Sequence, residues 1–231
     1  MNYLSLFSGA GGGDLAFQHL LGFKCVGYVE YENYCQRLIK QRIEDGLLDA
    51  APIFGDIRRF NSDGYAESYK GLVDVVSGGF PCQPFSSASH GEKVAIDMWP
   101  EMRRTVGLVR PGYVFAENVQ REPIETASVD LEVMGYTSVA MPLSAKDMGA
   151  DHIRERFWIL AHTNNDGKLP LRINAKMAEL PELCSCVWET YSKESRMDDG
   201  VAYRMDRIKA IGNGQIPVVA ATAFRILSGL K

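Results

Sequence analysis

Several things are scarce in this sequence, and each scarcity narrows what the chain can be. No stretch of the 231 residues approaches the ~18 uninterrupted apolar residues of a membrane-spanning helix. Met1-Asn2-Tyr3 has no basic flank leading into an apolar run, so no secretory leader is expected. A soluble, cytoplasmic protein without a membrane partner is the expectation. The five cysteines are an odd number and argue against a disulfide framework. Cys184-Ser185-Cys186 lacks a second ligand pair for zinc, so no metal site is expected. Basic excess is lacking too: 25 Lys and Arg stand against 29 Asp and Glu, a net charge of −4, whereas nucleic-acid-binding domains often carry a strongly basic face. Basic residues do gather at Arg103, Arg104 and Arg110, at Arg154 and Arg156, and at Arg204, Arg207 and Lys209. An acidic average can hide a basic cleft, although solvated surface charge explains each cluster taken alone.

At 46% hydrophobic content, the chain is long enough for one substantial core and short for two. Short apolar runs alternate with amphipathic stretches: Tyr3 to Phe7, Leu15 to Leu21, Phe23 to Val29, Tyr34 to Ile43. This is the βαβα pattern of a mainly parallel sheet. Further strands are predicted at Ile53-Phe54, Val73 to Val76, Tyr113 to Ala116, Thr137 to Met141 and Phe157 to Leu160, with helices at Met98 to Leu108 and Ile124 to Met134. Seven strands with crossovers predict an α/β fold with a doubly wound, mostly parallel sheet. After His162 the texture turns polar and weakly periodic, which reads as a small loop-rich insertion. The expected organisation is a core over 1–162, an insertion over 163–203, and a segment over 204–231 that returns to the core.

Cys82 stands out among the cysteines. It lies in Gly78-Gly79-Phe80-Pro81-Cys82-Gln83-Pro84-Phe85-Ser86, after the apolar stretch Leu72 to Val76. Two glycines ending a strand and two prolines flanking one thiol make a stiff turn, at the sheet edge where ligands of open α/β sheets bind. A reactive role requires a lowered thiol pKa and a nearby acid or base. Free cysteine is also among the most buried residue types, and Cys25 and Cys35, within an apolar run and on a predicted helix, fit that blander role.

The first predicted strand runs into Phe7-Ser8-Gly9-Ala10-Gly11-Gly12-Gly13-Asp14, a glycine-rich βα turn that lets backbone approach a nucleotide-like ligand beside a helix N-terminus. Alone, such a turn is a weak signal. Glu30 ends the second strand about 20 residues on, where a carboxylate accepts hydrogen bonds from ribose hydroxyls. Asp56 follows the third strand. Each carboxylate alone is more often an N-cap or a surface group; together they point to an adenosine-containing cofactor. Glu117-Asn118-Val119 places another carboxylate at the same edge; apolar neighbours would raise its pKa and let it donate to a heterocycle beside the thiol. In Arg154-Glu155-Arg156 the two arginines point the same way by strand alternation, a pair suited to phosphate or a base carbonyl.

In order and spacing these segments resemble the S-adenosylmethionine-dependent cytosine carbon-5 DNA methyltransferases. Phe7-Ser8-Gly9-Ala10-Gly11-Gly12 is similar to the family's cofactor motif, Pro81-Cys82-Gln83 to its nucleophile motif, and Glu117-Asn118-Val119 to its acid motif. Arg154-Glu155-Arg156 is similar to the paired-arginine motif and Gly212-Asn213-Gly214-Gln215-Ile216-Pro217 to the C-terminal motif. The resemblance covers roughly residues 3 to 162 and 204 to 225. It implies a Rossmann-like methyltransferase fold and a bacterial or phage-encoded, restriction-associated enzyme acting on DNA. It further implies that Phe7, Ser8, Gly9, Ala10, Gly11, Gly12, Glu30, Tyr31, Asp56, Ile57, Pro81 and Asn213 line the S-adenosyl-L-methionine site. Cys82 would attack carbon 6 of cytosine, Glu117 with Asn118 would serve the ring nitrogen 3, and Arg154 and Arg156 would support the site and contact the base. Gln83, Ser86 and His152 would contact a nucleotide flipped out of its stack.

Three departures accompany the resemblance. His152 stands where the family usually has Gln. The recognition region is reduced to about Thr163 to Tyr203, which leaves few side chains for groove readout and room for a partner protein that supplies recognition contacts. The acidic balance predicts modest, salt-sensitive DNA affinity. Three rival readings stay open at this stage: a tRNA cytosine-5 methyltransferase, a catalytically impaired cofactor-binding regulatory homologue, and a nicotinamide-dependent Rossmann enzyme, the last of which leaves Pro81-Cys82-Gln83 unexplained.

Overall fold

In the computed structural model, residues 1–82, 97–163 and 214–229 are described. Seven strands form one sheet: β1 Asn2–Leu6, β2 Lys24–Val29, β3 Ile53–Phe54, β4 Val75–Gly79, β5 Tyr113–Asn118, β6 Tyr136–Ser144 and β7 Glu155–Thr163. Their spatial order is β3-β2-β1-β4-β5-β7-β6. The β1–β2, β1–β4, β2–β3 and β4–β5 pairs are parallel, and β7 is antiparallel to both neighbours, β5 and β6. The chain order reverses direction between β1 and β4, which puts the switch point of this doubly wound sheet at their carboxyl ends.

Strand alternation builds the two faces. Tyr3, Val75, Phe115 and Leu160 turn to one face, where Phe17, Phe23, Ile39 and Phe224 pack. Leu4, Val76, Val114 and Ile159 turn to the other, against Phe60, Met102, Val106, Ile124 and Leu131. The β4 and β5 runs are apolar on both faces because helices cover both sides of a parallel sheet. Pro142 sits within β6, tolerated because β6 is an edge strand and one side of its backbone has no ladder to complete.

The covering helices are α1 Gly12–Leu15, which continues as a π-turn over Ala16–Leu20, α2 Asn33–Glu44, α3 Ile57–Ser62, α4 Tyr65–Ser68, α5 Trp99–Val109, α6 Arg121–Val133 and α7 Pro217–Leu227. In α5, Met102, Thr105, Val106 and Val109 are buried, the i, i+3, i+4, i+7 stripe of an amphipathic helix. Every strand expected from the sequence is present. The ends of β5, β6 and β7 each reach beyond the apolar run, since a ladder continues through polar residues wherever its neighbour still offers partners. The expected helix over Leu15 to Leu21 starts earlier, at Gly12, and widens to π geometry from Ala16. The short helices α3 and α4 were not anticipated. The expected insertion lies outside the described residues, apart from Thr163 in β7. Among the described residues no helix is long and apolar enough to cross a membrane.

Candidate active site

The turn after β1 is held in an unusual backbone path. Phe7, Gly9 and Gly11 all have positive φ, at 52°, 55° and 79°, which a glycine accepts freely and a phenylalanine adopts only when its surroundings over-determine it. Those surroundings are specific. The Gly9 N–H donates to Glu30 Oε2 at 2.6 Å, and the Glu32 N–H donates to Glu30 Oε1 at 2.8 Å. Glu30 is buried at the end of β2, and in this structure its carboxylate organises the turn. The Gly11 N–H closes the turn onto Ser8 O at 2.8 Å. Ser8 Oγ lies 2.9 Å from Ser5 Oγ, and Arg42 of α2 donates to Ala10 O. Arg42 carried no sequence signal, because nothing in α2 shows that one of its cations reaches back to the first turn.

At the end of β3, Asp56 caps α3, accepting from the Arg58 N–H at 2.9 Å, and pairs with the Arg58 guanidinium at 2.7 Å. The hydrogen bond from Arg58 holds its carboxyl below the usual range. The capping role weighed from sequence is thus realised, and Asp56 still lines, with Tyr31, Asn33, Gln36, Arg37 and Gly55, an open cleft after β2 and β3. Tyr31 is exposed and Ile57 buried.

The thiol turn departs from β4. Phe80 is buried against Trp99, ring centroids 5.2 Å apart, and its carbonyl accepts from Asn118 Nδ2 at 2.9 Å. Asn118 Oδ1 accepts from the Gln120 N–H at 3.0 Å, so both ends of that amide are committed to holding the turn against β5. Pro81 O accepts from the Met98 N–H at 3.1 Å, and Cys82 bridges to Asp97 in antiparallel fashion. Cys82 is half-buried; Cys25 and Cys35 are fully buried, as expected. The lowered thiol pKa that a reactive role requires is not what the described residues give Cys82. Burial pushes it up, and the carboxylates of Asp97 and Glu122 add to the rise.

Glu117 is the centre of the site. It is buried at the carboxyl end of β5 and sits opposite Gly79 in the β4–β5 ladder, which sets its side chain beside the root of the thiol turn. Because β7 is antiparallel, its beginning lies at that same edge, and Arg156 Nε reaches Glu117 Oε1 at 3.0 Å. Arg154 Nη2 donates to Gly214 O at 2.7 Å. Burial raises the Glu117 carboxyl above its usual range, opposed by the charge of Arg156, a hydrogen bond from Gln215 and the charge of Arg154. Glu117, Arg154, Arg156, Trp158, Gly214 and Gln215 line one small pocket, so the two arginines do share a side. His152 is exposed on the loop before β7. Gln83, Ser86 and Asn213 lie outside the described residues.

Gln215 is the site residue that reading for single motifs missed, although it lies in the Gly212 to Pro217 segment. Its Nε2 donates to Glu117 Oε2 at 3.4 Å. A Cβ on Gly12 or Gly13 would collide with Gln215. These glycines are therefore needed for close approach to another backbone as much as for any ligand.

The sheet order with its reversed β7, a glycine turn, a cysteine turn and a buried carboxylate clasped by arginine define a methyltransferase-type α/β protein. The family model of C-5 cytosine-specific DNA methylases matches residues 1–211, and the chain belongs to that family. It is 31% identical over 182 residues to the type II methyltransferase M.AquIA of Picosynechococcus sp., covering 69% of this chain and 71% of that protein. It is 26% identical over 229 residues to M1.ScrFI of Lactococcus lactis subsp. cremoris, covering 91% of this chain and 56% of that protein. Among solved structures, a DNMT2 of Spodoptera frugiperda superposes with a TM-score of 0.59 at 18% identity, over 75% of this chain and 53% of that one, a likeness of fold. The chain spans about half the length of the curated relatives it matches.

Proposed function

We infer that this chain methylates carbon 5 of cytosine in DNA through a covalent adduct of Cys82. The observation that carries the reading is the placement of buried, arginine-clasped Glu117 opposite Gly79, at the root of the Cys82 turn. Nucleophilic addition to carbon 6 of cytosine is feasible only if charge building on the ring is met at nitrogen 3. A carboxyl pushed up by burial is suited to share a proton with that nitrogen. Addition of the Cys82 thiolate makes carbon 5 electron-rich; loss of the carbon-5 proton and departure of Cys82 later restore the ring. Arg156 fixes the Glu117 carboxyl while its Nη1 donates to Glu155 O, and in this reading it also contacts the base; Arg154 ties the Gly214 segment to the same edge.

The donor set fits S-adenosyl-L-methionine. The left-handed glycine turn, the Glu30 carboxylate behind it and the cleft lined by Tyr31 and Asp56 offer backbone and acidic contacts to an adenosine and its ribose, and in this reading Phe7 and Ile57 join the site. When bound, the cofactor supplies an electrophilic methyl group. In this reading Pro81 packs at the cofactor's edge and Asn213 joins it from the C-terminal segment.

Methyl transfer from labelled S-adenosyl-L-methionine to duplex DNA, beside transfer to tRNA and beside Cys82→Ala, tests the proposal. Label in DNA that disappears in the variant supports it. Incorporation into tRNA alone would replace the substrate. Cofactor binding without transfer to either nucleic acid would favour a partner protein that supplies recognition contacts.

A further inference from the structure

Resting on the proposed reaction, we propose that Gln215 is a positioning residue for Glu117, orienting the carboxyl through its Nε2–H donor and thereby coupling the chemistry at β5 to docking of the C-terminal segment. Three glycines make room for this contact. A Cβ on Gly79 would stand 2.6 Å from Glu117 Oε2 and 3.2 Å from Gln215 Nε2, so the carboxylate and the amide meet over a position that must lack a side chain. On the far side, Gly12 and Gly13 let the Gln215 main chain and amide oxygen press against the start of α1. With Oε1 taken by Arg156 at 3.0 Å and Oε2 by Gln215 at 3.4 Å, rotation of the carboxyl is restrained from two elements.

The amide is itself held firmly. Gly214 O is bound by Arg154 at 2.7 Å, and Ile216 O accepts from the Ala220 N–H at 3.0 Å as α7 begins. The α7 helix buries Val219, Ala220, Ala221, Ala223 and Phe224, with the Phe224 ring 5.5 Å from Phe17 and 5.3 Å from Phe115. The charged groups that act on Glu117 are Arg156, at the start of β7, and Arg154, just before it, and Gln215 is the neutral group that opposes the rise caused by burial. Removing a donor to the ionised form disfavours that form. The Glu117 carboxyl should therefore titrate higher without Gln215, and the ordered geometry needed for proton sharing should be lost.

The test uses the full chain labelled with carboxyl-¹³C glutamate, with the Glu117 resonance assigned by Glu117→Gln. Gln215→Met keeps the side-chain length without a donor, and Gln215→Glu puts a second carboxyl beside the first. Phe224→Leu loosens α7 without touching the carboxylate. The expected result is a Glu117 titration moved up by about half a pH unit or more in Gln215→Met, further in Gln215→Glu, and in the same direction by a smaller amount in Phe224→Leu, where a looser α7 weakens the seat of Gln215. In methyl-transfer assays, kcat of Gln215→Met should fall about tenfold, with KM for DNA within about twofold. A Glu117 titration unchanged in both folded Gln215 variants, or a wild-type kcat in Gln215→Met, overturns the inference. If the unmodified protein transfers no methyl group to DNA, the reading of its function fails for this chain acting alone, while the titration still decides whether Gln215 governs Glu117.

Discussion

Arg156 Nε stands 3.0 Å from Glu117 Oε1 although 39 residues separate them in sequence (156 − 117), and the reason is the direction of one strand. In the ladder Glu117 pairs with Trp158, so Arg156, two residues earlier on the same face, reaches the carboxyl end of β5. Had β7 run parallel to β5, its first residues would lie at the opposite edge of the sheet. The pair is mostly buried, and a buried pair makes breaking one partner costly because the other charge is left uncompensated.

Arg156→Ala should therefore destabilise the protein by about 3–5 kcal/mol and raise the Glu117 carboxyl further, since Arg156 is the strongest influence holding it down. Denaturant unfolding and the ¹³C titration of Glu117 check the two effects separately. Arg156→Lys should recover part of the stability and little activity, because a lysine lacks the planar fork.

Glu117→Gln keeps the shape of the side chain while losing the titratable proton. The expected outcome is a drop in kcat of about 10²–10⁴-fold with cofactor affinity little changed, measured by single-turnover methyl transfer and equilibrium binding. An unchanged kcat would remove Glu117 from the chemistry.

The Cys82 thiol is pushed up by burial first and by Asp97 and Glu122 next. Raised pKa means less thiolate at neutral pH, so alkylation of the protein alone should be slow and should accelerate above the pH at which an ordinary thiol ionises. Asp97→Asn removes one of the opposing charges and should speed iodoacetamide labelling of Cys82 at pH 8 on the order of threefold. Mass spectrometry of the labelled peptide reads the rate; a slower rate in the variant would contradict the assignment of cause.

Asp14 offers a pH test of stability. It is buried beneath the glycine turn, accepts from Tyr3 Oη at 2.9 Å, and burial pushes its carboxyl up to about 6. A carboxyl that titrates higher folded than unfolded makes the folded state bind more protons. Its contribution is thus present at low pH and is lost as pH rises from about 4 to about 6, worth roughly 3 kcal/mol across that window. Urea unfolding of Asp14→Asn, compared with the unaltered protein over that range, should lack this decline.

Gly12→Ala should be severe for a reason visible only in three dimensions: the new Cβ would strike the carbonyl of Gln215. Overpacking against backbone should cost about 1–3 kcal/mol, and the C-terminal segment should lose its seat on α1. Increased proteolysis near Gly214 alongside a lowered Tm checks this; Gly22→Ala, where a Cβ meets nothing within 4 Å but φ is +67°, should show strain without that local exposure.

The sequence alone determined the strands, the alternation of their faces, the glycine and cysteine turns and the list of polar groups at strand ends. These are local properties: a period of two, a run of β-branched residues or a pair of prolines acts through the residue's own backbone and its immediate neighbours. That Cys82, Glu117, Arg154 and Arg156 lie at one sheet edge was legible for that reason. What the tertiary structure decided was partnership. That Glu30 braces the turn before Gly9, that Asn118 spends its amide on Phe80, that Asp97 and Glu122 act on Cys82, and that Arg42 and Gln215 reach the first turn all depend on contacts between distant segments. Hydrogen bonds and burial act over a few ångströms, and only folding brings residues 12, 79, 117 and 215 within that range.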